Sequence, residues 1–305
     1  MNSLLTSATA NLFHQRLAVR PLLQLNSYNG VSLINLKNYL SKTKVKKPMP
    51  TVHQLSFIID GPAASGKTEI SKGVSKKLGF NWIDSQAIYR ALLLKCKNNN
   101  IEILPSNGKK ISDLVNNTDF DFIFERDDDS YKVIMDNNDV TQQVKDSNIS
   151  DRDVLNALSI PEITEAMKSK QRKLVYLSED KMRKELEKEG EEGNSDKSKL
   201  YCTILEGRAA GKNVFPDAHL LFNLRASVDV RAERRFNELK GKKSKEAILE
   251  EMKEDEANFK ELITPLKRAL NITTTELDKD EQVETISFLI KDRIKRYYEN
   301  IGPMY

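Results

Sequence analysis

The stretch Leu55-Ser-Phe-Ile-Ile-Asp60-Gly-Pro-Ala-Ala-Ser-Gly66-Lys-Thr68 joins a short apolar run to a glycine-containing turn. The apolar run contains β-branched residues and predicts a strand. After the turn, apolar residues recur at helical spacing, at Ile70, Val74 and Leu78. Strand, turn and helix are the context in which the pattern GxxxxGK[ST] binds phosphates. The sequence therefore predicts an α/β P-loop NTPase fold, a parallel sheet flanked by helices, with ligands at the carboxyl ends of the strands.

The residue types in this turn, the P-loop, suit a nucleotide. Its glycines let backbone N–H groups converge on phosphate oxygens, and the following helix offers its positive N-terminal end. The Lys67 ammonium can reach the β and γ phosphates, and the Thr68 hydroxyl can ligate Mg²⁺. We therefore expect ATP and Mg²⁺ as cofactors, unless the fold is a scaffold with an idle nucleotide site. The predicted nucleotide-binding residues of the turn are Gly61, Pro62, Ala63, Ala64, Ser65, Gly66, Lys67 and Thr68.

A second short apolar run, Phe80-Asn-Trp-Ile83, leads into Asp84-Ser-Gln-Ala-Ile-Tyr-Arg90. This segment resembles the Asp-Ser-Gly-Ala-Ile-Tyr-Arg segment of cytidylate kinases, which are P-loop nucleoside monophosphate (NMP) kinases. In that family its Ser, Tyr and Arg contact the acceptor nucleotide, which implies that Ser85, Tyr89 and Arg90 bind the substrate here. An arginine fork suits a monophosphate, and an aromatic ring suits a base or sugar face. The alternatives are core packing for Tyr89 and a surface charge for Arg90.

Further segments agree with the family in order and spacing, over about residues 55–295. Two alternating runs at 120–124 and 131–135 flank Asp127-Asp-Asp-Ser130 and predict a hairpin. The hairpin resembles the β-containing NMP-binding insert of the family, expected at about 104–165. The resemblance also implies a helical lid at about 240–264. A run of mixed charge at about 179–199 begins with the charge spacing of a solvated helix and reads as an insertion that extends a surface loop, with partner binding as the alternative.

The resemblance implies catalytic roles outside the P-loop as well. Glu206-Gly-Arg208 follows a predicted buried strand and stands where the family has Asp-Gly-Arg-Asp. Arg208 would hold the acceptor phosphate, and Lys67 would stabilise the migrating phosphoryl group. Glu206 and Thr68 would organise Mg²⁺, the alternative for Glu206 being a surface acid at the end of a strand.

A basic cluster follows on a later predicted helix. Arg231, Arg234 and Arg235 are three and four residues apart and so share one helix face. In the family, an arginine equivalent to Arg234 packs at the adenine of ATP, which implies a cofactor contact for Arg234. The alternative is a solvated basic helix face.

Three features depart from the family. Residues 250–262 contain no arginine, whereas the cytidylate kinase lid carries several, and their acids are expected to repel a triphosphate. Lys253 and Lys260 are substitutes that lack the planar arginine fork. Ala209 replaces the family's Asp, which removes a sugar contact and the carboxylate beside Arg208. Where the family reads the base with Ser and Arg, this chain aligns Leu155 and Thr164.

The amino-terminal segment is basic. Residues 1–59 contain no Asp or Glu, whereas the first 50 contain seven Lys or Arg. Arg16 and Arg20 lie four apart beside apolar residues, which is typical of a transit peptide. We expect residues 1–50 to be a targeting segment and linker, directing the chain to the mitochondrial matrix rather than to a plastid or the cytoplasm. The alternatives for residues 1–50 are a disordered basic tail and an arm that clamps onto a partner. Residues 51–305 form the predicted kinase-like domain.

Composition excludes several classes of protein. The 49 Lys and Arg and 45 Asp and Glu give +4. Without the seven basic residues at the front the balance is −3, which does not suit a nucleic-acid partner. No run approaches 18 uncharged apolar residues, so no transmembrane span is expected. Cys96 and Cys202 are too few for a disulfide framework or a zinc cluster.

These observations support two functions. The first is an organellar NMP kinase of the cytidylate type, which transfers the ATP γ-phosphoryl group to CMP or dCMP. The second is a catalytically impaired kinase-like subunit, a pseudoenzyme that binds nucleotide and serves with other subunits as a structural or sensing component of a mitochondrial assembly. The intact P-loop favours the first, and the arginine-free lid with Ala209 favours the second. An NTPase switch or motor would leave the resemblance of the hairpin to an NMP-binding insert unexplained.

Overall fold

The computed structural model describes residues 55–191, 202–275 and 278–301. The predicted targeting segment at 1–50 and residues 192–199 of the predicted insertion lie outside these ranges.

A parallel sheet forms the core of the described chain. Its strands are β1 (Ser56–Asp60), β2 (Asn81–Asp84), β6 (Thr203–Gly207), β7 (Leu220–Arg225) and β8 (Leu270–Thr273), in the order β2-β6-β1-β7-β8. The central strand β1 lies between β6 and β7, where Ile58 aligns with Leu205 and Leu221. Its apolar run is what a strand covered on both faces requires. The P-loop follows β1 at the carboxyl edge, which confirms the predicted α/β P-loop fold.

Helices flank this sheet and form the excursions from it. They are α1 (Lys67–Leu78), α2 (Ser85–Asn98), α3 (Gly108–Asn116), α4 (Thr141–Asp146), α5 (Asp151–Leu158), α6 (Pro161–Glu191), α7 (Ala210–Asn213), α8 (Val228–Glu238), α9 (Lys245–Asn258), α10 (Lys260–Ile263) and α11 (Lys279–Ile301), with a 3₁₀ turn at Pro105–Asn107. Helix α1 buries Ile70 and Val74 as its spacing predicts. Within the described ranges, no helix combines the length and apolarity needed to cross a bilayer.

The predicted hairpin is an antiparallel sheet of β3 (Phe120–Glu125), β4 (Ser130–Met135) and β5 (Asn138–Asp139). The Trp82 ring on β2 packs edge-on against Phe122, Phe124 and Tyr131, with ring centroids 5.2 to 5.6 Å apart. Lys72 of α1 lies 4.8 Å from the Trp82 ring centroid. These contacts dock the hairpin against the edge of the core that carries the P-loop helix.

The described parts of two predicted excursions, the insertion and the lid, are helical. Residues 179–191 continue α6, so the first part of the predicted insertion is helical as its charge spacing indicated, but Glu179 is buried instead of solvated. The predicted lid segment contains α9 and α10, where Ile248 and Met252 of α9 pack on Ala232 of α8. The segment expected to act as a lid therefore packs against α8, the helix that carries Arg231, Arg234 and Arg235.

Candidate active site

The P-loop is preformed by close backbone contacts. A Cβ at Gly61 would lie 2.5 Å from the Leu224 carbonyl oxygen, so only glycine fits there. Gly66 has φ +87°, a left-handed conformation that glycine adopts without strain, and it starts α1. The buried Lys67 donates from Nζ to the Pro62 carbonyl at 2.8 Å. The ammonium therefore already lies over the loop that would hold the phosphates.

Arg234 supports the back of the same loop. Its Nη2 donates to the Thr274 carbonyl at 2.6 Å, and its Nη1 donates to the Ala64 carbonyl at 3.4 Å. The Thr274 hydroxyl donates to the Ser65 carbonyl at 3.0 Å. Arg234 thus connects the P-loop to the end of β8, and its contact with adenine stays a prediction.

Thr68 and Glu206 meet beside the loop. The Thr68 hydroxyl donates to Glu206 Oε1 at 2.5 Å, and Trp82 Nε1 donates to Oε2 at 2.8 Å. Glu206 is 3% exposed, so it is not a surface acid at the end of a strand. Burial, reinforced by the negative charge of Asp84, raises the pKa of Glu206. Mg²⁺ prefers oxygen ligands and needs only one or two protein carboxylates when phosphates supply the rest, so these residues fit the predicted ion.

The surroundings of Lys67 are crowded with charge. Burial lowers the pKa of Lys67 to about 8, and the positive charge of Arg208 adds to this effect. The negative charges of Glu206, Asp151 and Asp84 oppose it. Lys67 therefore belongs to one interacting set of cations and carboxylates.

Asp151, the first residue of α5, lies between Arg90 and Arg208, the two arginines predicted to bind the acceptor phosphate. Arg90 forms an ion pair with Asp151 Oδ1, and Arg208 Nη2 lies 2.9 Å from Oδ2. Arg235 Nη2 lies 3.8 Å from the same Oδ2. Burial alone would raise the pKa of Asp151, but Arg208, Arg90 and Arg235 together lower it below its usual range. The structure thus joins Arg90 and Arg208, and it corrects the expectation that Arg208 lacks a neighbouring carboxylate.

Ser85 and Tyr89, the other predicted acceptor residues, are both buried. The Ser85 hydroxyl donates to Gln171 Oε1 at 2.8 Å in a buried contact. Tyr89 is 2% exposed, and burial raises its pKa. The packing alternative therefore describes Tyr89, and acceptor contacts by these two residues stay predictions.

The acids of α9 are paired with arginines from two other helices. Arg152 Nε lies 2.6 Å from Asp255 Oδ1, and Arg152 Nη2 lies 3.0 Å from Glu254 Oε2. Arg231, which is 3% exposed, forms an ion pair with Glu256. Three of the acids expected to repel a triphosphate are therefore partly neutralised, and Arg231 is not part of a solvated basic face.

Comparison with known proteins decides the family once this geometry is established. The family profile described as Cytidylate kinase matches residues 57–184 and 176–292. The chain belongs to the cytidylate kinase family. The matched ranges include the P-loop, the predicted NMP-binding insert, helix α8 and the predicted lid segment.

Curated cytidylate kinases are similar over most of their length. That of Caldanaerobacter subterraneus subsp. tengcongensis is 32% identical over 248 residues, covering 79% of this chain and 96% of the relative. That of Clostridium tetani is 32% identical, covering 77% of this chain and 93% of the relative. That of Bacillus subtilis is 30% identical, covering 76% and 95%.

Sequence reasoning about this cytidylate kinase family member missed Asp151 and Arg152. A local signal existed, because Ser150 and Asp153 form a reciprocal capping box that predicts a helix starting at Asp151. That signal places the two residues at a helix terminus but does not identify their partners. Asp151 pairs with Arg90, 61 residues away, and Arg152 pairs with Asp255, 103 residues away.

We expect Arg152→Ala to loosen the lid of this family member. The substitution removes the ion pairs from α5 to Asp255 and Glu254, so amide hydrogen exchange in α9 should become faster. Arg152 is partly exposed, so the loss of global stability should be about 1 kcal/mol or less. Lys243→Ala, which removes an exposed ion pair with Glu251, is the control. Unchanged exchange in α9 would contradict the role of Arg152.

Proposed function

We propose that this chain is an NMP kinase of the cytidylate type, which transfers the γ-phosphoryl group of ATP to CMP or dCMP. The observation that carries the proposal is the convergence of Arg90 and Arg208 on one anion position whose charge is felt by Lys67 of the P-loop. Family membership and about 30% identity to curated cytidylate kinases support the same reaction.

The chemistry requires positioning and charge neutralisation more than acid or base groups. An oxygen of the acceptor phosphate forms a bond to the γ phosphorus as the bond to the β-phosphate oxygen breaks, giving ADP and a nucleoside diphosphate. The acceptor oxygen is already anionic, so no general base is needed. Lys67 offers its ammonium to the transferring group, while Arg90 and Arg208 orient the acceptor phosphate. Bound Mg²⁺, held at Thr68 and Glu206, would neutralise charge on the ATP phosphates.

A second candidate is a nucleotide-binding subunit with impaired catalysis, in a mitochondrial assembly. Two observations favour it: Asp151 already occupies the arginines of the acceptor side, and the lid has ion-paired acids where the family has arginines. Donors of this kind are worth about 10³ to 10⁵ in rate in related phosphoryl transfer. Binding of ATP without transfer is the behaviour that this candidate requires.

The two candidates separate in one assay. The full chain is mixed with ATP, Mg²⁺ and each ribo- or deoxyribonucleoside monophosphate in turn, and ADP release is followed. The kinase proposal expects CMP and dCMP to raise ADP release well above the rate with ATP alone. Measurable ATP binding with no acceptor-dependent release from any monophosphate would instead support the impaired subunit.

We also propose that the protein works in the mitochondrial matrix. The support is the acid-free front of the sequence with its spaced arginines. Cell fractionation combined with sequencing of the mature amino terminus tests this location. A chain that starts at Met1 and is recovered outside mitochondria would overturn it.

A further inference from the structure

A carboxylate of the protein itself, that of Asp151, lies among the arginines predicted to bind the acceptor phosphate. The carboxylate of Asp151 is bound by Arg90 at one oxygen and by Arg208 at the other, with Arg235 3.8 Å from the second oxygen. Its side chain is 19% exposed, and that of Arg208 is 5% exposed. Three arginines around one mostly buried carboxylate form the kind of donor set that binds a phosphate dianion.

One carboxylate does not use all the donors at this position. The Nε of Arg208 is buried and has no hydrogen-bond partner among the described residues. Within the described ranges, Nη2 of Arg208 lies 2.9 Å from Asp151 Oδ2 and Nε is left without a partner, although a guanidinium can bind an anion through two parallel N–H groups. A phosphate has more acceptor oxygens than a carboxylate and can satisfy the donor that Asp151 leaves free.

We propose that Asp151 is an internal occupant of the acceptor-phosphate subsite and that it sets the affinity for the acceptor. An incoming phosphate must displace the carboxylate from Arg90 and Arg208 before it can bind both. The identity of the acceptor rests on the proposed kinase function, but competition for the arginines concerns any phosphate.

The positive charges around Asp151 explain why a carboxylate is stable at this position. Without an anion, Arg208 and its neighbours would be partly buried cations close to Lys67, which is costly. Asp151 neutralises them in the free protein, and its neighbour Arg152 holds the acids of α9. Displacement of Asp151 would move the start of α5, so acceptor binding and the Arg152 contacts to the lid are coupled.

Binding of inorganic phosphate to the full chain, measured by titration calorimetry, tests the proposal without depending on turnover. Asp151→Asn keeps the side-chain size and removes the competing charge, so its Kd for phosphate should fall at least tenfold. Asp151→Ser should behave in the same way and covers the case in which the Asn variant does not fold. Asp153→Asn is the matched control, because it changes an acid in the same helical turn whose side chain, among the described residues, is hydrogen-bonded to Ser150 and not to an arginine.

Thermal unfolding gives a second readout. Asp151→Asn should unfold at a lower temperature than the natural chain in phosphate-free buffer, because its arginines have lost their anion. Added phosphate should raise the unfolding temperature of the variant more than that of the natural chain. Folded Asp151 variants that bind phosphate no more tightly than the natural chain would overturn the proposal.

Acceptor kinetics separate this inference from the proposed function. Where CMP is turned over, Asp151→Asn should lower KM for CMP more than it changes kcat. If the natural chain phosphorylates CMP but phosphate affinity does not respond to Asp151, the inference fails and the function stands. If phosphate binding tightens as expected but no acceptor is phosphorylated by any variant, the function fails and the inference stands.

Discussion

Lys67→Ala should reduce acceptor-dependent ADP release by about 10²- to 10³-fold or more, with a weaker ATP affinity. Lys67 is the buried cation of the P-loop, and its Nζ donates at 2.8 Å to the Pro62 carbonyl, so alanine leaves that point of the loop without this ammonium. Its removal takes away charge stabilisation that increases as the phosphoryl group leaves ADP. Steady-state rates and fluorescent-nucleotide binding measure the two effects.

Lys76→Ala is the control for this variant. Lys76 lies on the same helix, and its ion pair with Asp129 is exposed, so its loss should change neither rate nor nucleotide affinity more than about twofold. A Lys67→Ala variant that is folded and retains near-normal phosphoryl transfer would remove the P-loop from the proposed mechanism. The same variant also tests the impaired-subunit candidate. That candidate predicts that Lys67→Ala loses ATP binding and that the natural chain already shows no acceptor-dependent ADP release.

Glu179→Gln should stabilise the protein on the order of 3 kcal/mol near pH 8. Burial raises the pKa of Glu179 to about 8, and a contact with the backbone of Thr203 opposes this only in part. The unfolded chain loses this proton near pH 4.5, whereas the folded chain keeps it until about pH 8. The natural protein therefore loses stability as the pH rises through that window, by up to about 1.4 kcal/mol per pH unit.

Glutamine has nearly the shape of the protonated acid and stays neutral, so this part of the pH dependence should vanish in the variant. Urea unfolding at pH 4.5, 6, 7 and 8 gives the comparison, with the two proteins converging at pH 4.5. Glu185→Gln, at an exposed position on the same helix, should leave the curve unchanged. A constant difference between Glu179→Gln and the natural chain at all four pH values would show that Glu179 is ionised in the folded state.

The features that sequence reasoning predicted well depend on neighbours in the chain. The P-loop was predictable because strand, turn and helix are contiguous, and because Gly61 and Gly66 have backbone roles that other residues cannot perform. The β3–β4 hairpin was predictable because its alternation is local. Membership of the cytidylate kinase family rests on such contiguous segments, taken in order.

The roles of single charged side chains were less predictable, since they depend on partners far along the chain. Thr68 and Glu206 are 138 residues apart, and their hydrogen bond forms only because β1 and β6 are adjacent in the sheet. The motif of Tyr89 predicts an acceptor contact, whereas the packing of distant elements leaves its side chain only 2% exposed.

By itself, the sequence determined the fold class, the phosphate-binding turn and the family. Each of these follows from backbone conformation and apolar spacing over a few consecutive residues. Only the tertiary structure decided that Asp151 pairs with Arg90 and Arg208, that three acids of α9 are ion-paired, and that Glu179 is buried. The physical reason is that charge energies depend on distance and burial, and both are determined by which distant elements pack together.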